Sequence, residues 1–141
     1  MNGFLIDTNV VSEFVRHRNP DPRVRNWLEA ADTESLYASV LTMGEIRFGI
    51  ELLSPGRRRR QLEQWLEQEL REWFENRLLP VDGAIAERWG LMSAQALRKG
   101  RPLSIVDGLL AATALEHDLT LVTRNVGDFA GSGALILNPW T

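Results

Sequence analysis

Three acidic residues stand where their type and position could do chemistry. Asp7 follows the apolar run Phe4-Leu5-Ile6, where a short strand should end and a helix should open. Glu45 lies one turn into an expected helix, on the stripe Leu41, Glu45, Phe48, Leu52. Asp107 lies one turn into the most apolar helical stretch of the chain, followed by Gly108 and, one turn on, Ala111. Charged side chains seldom sit in apolar surroundings without a partner. Taken singly, each has a structural explanation. Asp7 suits a helix N-cap, and Thr42-x-x-Glu45 and Ser104-x-x-Asp107 fit capping boxes. Taken together they describe a site. In an open parallel sheet, ligands bind at the carboxyl ends of the strands, where the strand order reverses. Three carboxylates converging there would repel one another and raise at least one pKa, a conflict that a divalent cation removes. Hard oxygen donors of this kind select Mg²⁺ or Mn²⁺. A fourth acid, Asp128, lies in the polar loop Thr123-Arg124-Asn125-Val126-Gly127-Asp128-Phe129 after the strand that ends near Val122. There Asp128 suits either a ligand or an N-cap, and Asn125 either a neutral ligand or a turn residue.

The elements that must position these residues follow from periodicity. Strands are expected at 4–6, 35–39, 78–81, 119–123 and 134–137. Helices are expected at 8–15, 23–31, 43–53 and 105–116, with another capped by Asp82 that carries Ile85, Trp89, Met92 and Ala96 on one side. Residues 57–76 form the longest amphipathic pattern, with Leu62, Trp65, Leu66, Leu70, Trp73 and Phe74 at steps of three and four. Strands alternating with helices through all 141 residues imply one α/β domain. It should have a mostly parallel central sheet and helices on both faces.

Composition narrows the chemistry further. The chain has no cysteine, which excludes a disulfide framework, a thiolate zinc site and a thiol nucleophile. The two histidines, His17 and His117, have polar neighbours and read as bystanders. No serine-hydrolase elbow or phosphate-binding loop is present. The single lysine, Lys99, falls in a turn before a helix, the wrong place for a phospho-receiver module. Nineteen acids against sixteen bases leave a net charge of −3, and all the other bases are arginine, which grips phosphate bidentately. Arg47 and Arg124 lie beside the acidic positions and are candidates to hold a phosphate. The run Arg57 to Arg60 suits either an RNA backbone or a solvated helix start. The N-terminus lacks a basic leader, and no apolar run reaches the ~20 residues of a membrane span, so a cytoplasmic location is expected.

The residues resemble the PIN domain, and within it the VapC/FitB type of bacterial toxin. The resemblance rests on Leu5-Ile6-Asp7-Thr8-Asn9-Val10, Met43-Gly44-Glu45-Ile46-Arg47-Phe48-Gly49, Asp107-Gly108-Leu109-Leu110-Ala111-Ala112, and Thr123-Arg124-Asn125 through Asp128-Phe129. The ending Asn138-Pro139-Trp140 is similar to that of the FitB-like branch. Four motifs in order span essentially the whole chain. The resemblance implies a three-layer α/β/α domain. It implies an Mg²⁺- or Mn²⁺-dependent endoribonuclease, the toxic member of a pair whose antitoxin is encoded beside it, with homodimers within a larger assembly. It implies that Asp7, Glu45 and Asp107 hold the metal, with Asp128 or Asn125 completing the site. Thr8 and Thr123 are expected to orient carboxylates, with Asn9, Ser39 and Thr42 as further candidates. The competing expectation is a PIN-like scaffold that binds protein or nucleic acid with little catalysis.

Overall fold

Side chains alternate across a strand, and here the alternation divides the apolar residues between two cores. The computed structural model describes residues 3–16 and 19–141, so His17 lies outside the described residues. The strands are β1 (Phe4–Ile6), β2 (Leu36–Ser39), β3 (Leu78–Leu79), β4 (Thr120–Val122) and β5 (Ile136–Leu137), in the sheet order β3-β2-β1-β4-β5. Every neighbouring pair is parallel, with Phe4 in register with Leu36 on one side and Thr120 on the other. Leu5 and Leu121 point into one core, shared with Ile85 and Met92 of α6 (Gly83–Arg98) and Leu110 and Ala111 of α7 (Ile105–Glu116). Ile6 and Val122, their chain neighbours, point into the other. That second core takes Val10 of α1 (Thr8–Arg16), Val24 of α2 (Pro22–Ala30), and Met43 and Ile50 of α3 (Val40–Glu51). The result is the expected α/β/α sandwich, with a sheet that is wholly rather than mostly parallel.

Local sequence accounts for most helix starts. Asp21 accepts from the Arg23 amide at 2.9 Å and Pro22 opens α2. Asp82 accepts from the Ile85 amide at 3.0 Å, as expected of it. Ser104 accepts from the Asp107 amide at 3.2 Å, which forms the capping half of the expected box.

Two expectations are corrected. The helix expected from residue 43 starts at Val40, because Ser39 caps it and accepts from the Leu41 amide at 3.0 Å. Thr42 is therefore buried inside the helix and forms no capping box with Glu45. The inward face falls on Thr42, Met43 and Ile50, while Phe48 and Leu52 are 68% and 72% exposed, so Glu45 faces solvent rather than an apolar stripe. The segment expected as one long helix is α4 (Arg57–Gln64), a π-helical stretch (Trp65–Leu70) and the short α5 (Arg71–Trp73). A π turn shifts the helical phase. Leu66, Leu70 and Phe74 are buried, and Trp73 is turned outward to 44% exposure.

Beyond it, Arg77 fixes the β2–β3 edge. Its guanidinium donates to the carbonyls of Thr33 (2.8 Å) and Leu36 (2.5 Å) and lies over the rings of Trp73 and Phe74.

The topology locates the site. From β1 the chain fills one side of the sheet with β2 and β3, then crosses to β4 on the other. The strand order therefore reverses between β1 and β4, and a crevice opens at their carboxyl ends. Helix α7 starts at that edge and runs away from it. Its far end reverses into β4 through Asp118, which adopts a positive φ of 53°, so its first turn lies where β4 ends. No helix of the described residues is long and apolar enough to cross a membrane.

Candidate functional site

Asp7 directly follows β1 at the switch point and is the one buried acid of the site. Its amide donates to the Val122 carbonyl at 2.9 Å, which ties it to β4. Three donors grip its carboxylate. The Thr8 amide bonds Oδ1 at 2.7 Å, while the Thr123 hydroxyl and the Asn9 amide bond Oδ2 at 2.8 and 3.3 Å. Asn9 also donates to Thr123 Oγ1 at 3.2 Å and accepts from the Arg124 amide at 3.2 Å. The Asn125 amide donates to Thr123 Oγ1 at 3.0 Å. The chain thus returns after β4 through a closed polar network built around Asp7.

Burial pushes the Asp7 carboxyl above its ordinary pKa of 3.8. The bonds from Thr123 and Thr8 oppose that shift, and the charges of Glu45 and Asp107 add to it. The Asp107 carboxyl is likewise raised by desolvation, held back by Ser104 and pushed further by Asp128. The four acids therefore form a chain of repulsion, Glu45 to Asp7 to Asp107 to Asp128.

Two clefts share Asp107. One, of about 340 Å³, is lined by Asp7, Thr8, Asn9, Glu45, Asp107, Arg124 and Asn125. The other, of about 480 Å³, is lined by Arg101, Ser104, Asp107 and Asp128. The structure thus gathers Asp7, Glu45 and Asp107 on one cleft with Asn125, and sets Asp128 in the next. Thr8 reaches Glu45, donating to Oε1 at 2.5 Å, with Thr42 Oγ1 3.3 Å away. Ser39 is buried as the cap of α3 and does not line the cleft.

As they stand, no three His, Asp or Glu among the described residues are grouped tightly enough to hold one ion. Among these residues Asp7 is held by three donors, whereas Glu45 is held by Thr8 alone. Glu45 is exposed and Asp107 half-buried at the mouth of the cleft. An all-oxygen donor set whose members destabilise each other's charge fits a hard divalent cation.

Arg47 is not brought to the cleft. It points away and pairs with Glu67 at 2.7 Å and Glu51 at 4.0 Å. Arg58, from the basic run, instead lines a third cleft of about 230 Å³ that shares Thr8, Ser12 and Glu45 with the first. Ser12 and Glu13 also line the acidic cleft. They were legible as the positions one turn beyond Thr8 and Asn9 on the same helix. Lys99 caps the end of α6, and neither it nor His117 lines the acidic cleft.

Known proteins share this arrangement of elements. A family model described as PIN domain matches residues 4–130. Toxin FitB of Neisseria gonorrhoeae is 38% identical over 136 residues, covering 96% of this chain and 97% of that protein. VapC ribonuclease Y4jK of Sinorhizobium fredii is 36% identical over 136 residues, covering 96% of each. A chain in the solved structure of FitAB bound to an IR36 DNA fragment is 36% identical. It aligns with a TM-score of 0.92 over 98% of this chain and 96% of that one.

Proposed function

This chain belongs to the PIN domain family, and we propose that it is a metal-dependent endoribonuclease, the toxic member of a toxin–antitoxin pair. The observation that carries this reading is the convergence of Asp7, Glu45 and Asp107 on one open cleft at the switch point of the sheet. The similar proteins named a toxin and a ribonuclease support it.

Asp7, Glu45 and Asp107 would hold Mg²⁺ or Mn²⁺, with Asp128 approaching through the neighbouring cleft and Asn125 as a neutral oxygen donor. Such a cation, when bound, supplies Lewis acidity and a water of lowered pKa at neutral pH. The protein supplies the rest. Thr123, Asn9 and the Thr8 amide fix the Asp7 carboxylate, as ligand-orienting groups do. Glu45 or Asp128, both exposed, would accept a proton from an attacking water. Arg124 on one wall and Arg58 beside Glu45 flank the acids and are suited to phosphates of one RNA strand. In the hydrolysis the water oxygen would bond to the scissile phosphorus, one P–O ester bond would break, and the leaving ribose oxygen would take a proton from solvent.

A nuclease of this kind needs restraint in the cell that makes it, and we assign that role to a cognate antitoxin in the cytoplasm. An apolar cleft of about 390 Å³ lined by Val10, Leu28, Trp65, Leu70 and Trp73 suits an apolar segment of such a partner. Exposed Phe48 and Leu52 on α3 suit a second copy of the chain. The spacing of the acids favours a second reading, a PIN-like scaffold with little catalysis.

One experiment decides between them. Purified protein is incubated with structured RNAs and Mn²⁺ or Mg²⁺, then with EDTA, and then as Asp7→Ala. Cleavage that requires the cation and Asp7 supports the nuclease. Cleavage that survives EDTA and the substitution refutes the metal site. Expression that arrests growth, relieved by the neighbouring gene, identifies the toxin even where the RNA target is narrow.

A further inference from the structure

The segment after β5 meets the side chain of Arg124, which lines the acidic cleft. After β5, Asn138 accepts from the Trp140 amide at 2.9 Å, and the Thr141 hydroxyl donates to the Asn138 carbonyl at 2.9 Å. Pro139 fixes the backbone between them. This small turn drives Trp140 inward, where it is 7% exposed and joins the core of Ile6, Val10 and Val122 beneath the switch point. Its ring faces Arg124, whose guanidinium carbon lies 5.3 Å from the ring centroid. That is within the range of a cation–π contact.

Arg124 needs such a support. Its backbone is held by Asn9, but its side chain is exposed. Among the described residues no carboxylate lies within ion-pair distance of its guanidinium, although its charge is felt at Asp21. A long free arginine loses rotamer entropy on gripping a ligand. One already laid on a rigid indole loses less.

We propose that Trp140 is a positioning residue for Arg124, holding the guanidinium at the cleft wall so that it meets an RNA phosphate. The proposal rests on the nuclease reading above. It gives the C-terminal tryptophan a part in substrate binding in addition to its part in the core.

The test is a double-substitution cycle read by affinity. Wild type, Arg124→Ala, Trp140→Leu and the double variant are titrated with a cleavage-resistant phosphorothioate oligoribonucleotide in Mn²⁺, by fluorescence anisotropy. Arg124→Ala is expected to weaken binding about tenfold and to flatten the salt dependence by about one phosphate contact. Trp140→Leu should give a threefold to tenfold loss, while the double variant binds no worse than Arg124→Ala alone. Trp140→Phe, which keeps a ring, should stay within about twofold of wild type. In cleavage assays Trp140→Leu should raise KM and leave kcat nearly unchanged. Trp140→Met replaces the leucine variant if that one loses cooperative unfolding.

Additive losses, or a Trp140→Leu that binds as wild type while Arg124→Ala does not, overturn the proposal. An Arg124→Ala that binds as wild type overturns it too, together with the phosphate role of Arg124. Absence of cation-dependent cleavage by the wild type is a separate failure, that of the nuclease reading.

Discussion

Thr123 Oγ1 donates to Asp7 Oδ2 at 2.8 Å across 116 residues of chain. The bond joins the carboxyl ends of the two strands between which the strand order reverses. The same hydroxyl oxygen accepts from Asn9 and from the Asn125 amide. One threonine therefore holds the buried acid and the loop that carries Arg124 and Asn125.

Replacing Thr123 with valine keeps the shape and removes the hydroxyl. Asp7 then loses a stabilising donor, and two donors lose their acceptor. The expected cost is about 1–3 kcal/mol of stability, seen in urea denaturation. Cation affinity should fall about 10- to 100-fold, measured by calorimetry. Unchanged affinity would show that the network does not orient the acid.

The mutual repulsion of the acids predicts that Mg²⁺ or Mn²⁺ stabilises the fold. At a hundred times its dissociation constant the ion should contribute about 2.7 kcal/mol. Thermal unfolding should then rise by on the order of 5–10 °C. Asp7→Ala should abolish the shift. An equal shift in that variant would place the ion elsewhere.

The raised Asp107 carboxyl sets a pH dependence. A carboxyl whose pKa rises on folding binds its proton more tightly in the folded state. The metal-free protein therefore loses that stability as pH climbs from 3.8 through the raised value, and the deficit persists above it. Asp107→Asn removes the deficit. In chelator at pH 7 its Tm should exceed that of wild type, with the difference closing below about pH 4. A variant that melts lower at pH 7 would contradict the assigned desolvation of Asp107 and its repulsion by Asp128.

Gly108 seats α7 against α6. A Cβ there would stand 2.8 and 2.9 Å from Cδ1 and Nε1 of the Trp89 indole. Gly108→Ala should destabilise by about 1–3 kcal/mol through overpacking and displace the neighbouring Asp107. Adding Trp89→Leu should recover part of both stability and cation affinity. A neutral Gly108→Ala would mean that the two helices separate freely.

Arg47 sits beside Glu45's motif yet pairs with Glu67 and Glu51. Arg47→Ala should leave the cleavage rate within about twofold of wild type, whereas Arg124→Ala should reduce it at subsaturating RNA. The reverse order would show that Arg47 swings into the site.

The sequence by itself determined most of the elements and the acidic character of the candidate site. Periods of two and 3.6 residues are local signals, so strands such as Phe4–Ile6 and the buried face of α7 were legible from their own residues. The absence of cysteine and the paucity of histidine left the carboxylates as the candidate donors, and the position of Asp7 after its strand marked the edge. What the tertiary structure decided concerns relations between distant segments. The order β3-β2-β1-β4-β5 placed Thr123 against Asp7, set Asn125 on the central cleft and left Asp128 in the next. The start of α3 at Val40 turned Glu45 and Phe48 outward, and the π turn turned Trp73 outward. Long-range packing set Arg58 and Arg124 on cleft walls, paired Arg47 with glutamates, and set Trp140 against Arg124. Side-chain partners at such separations depend on which strands become neighbours and on the phase at which each helix meets the core. Neither is encoded in the periodicity of any one segment.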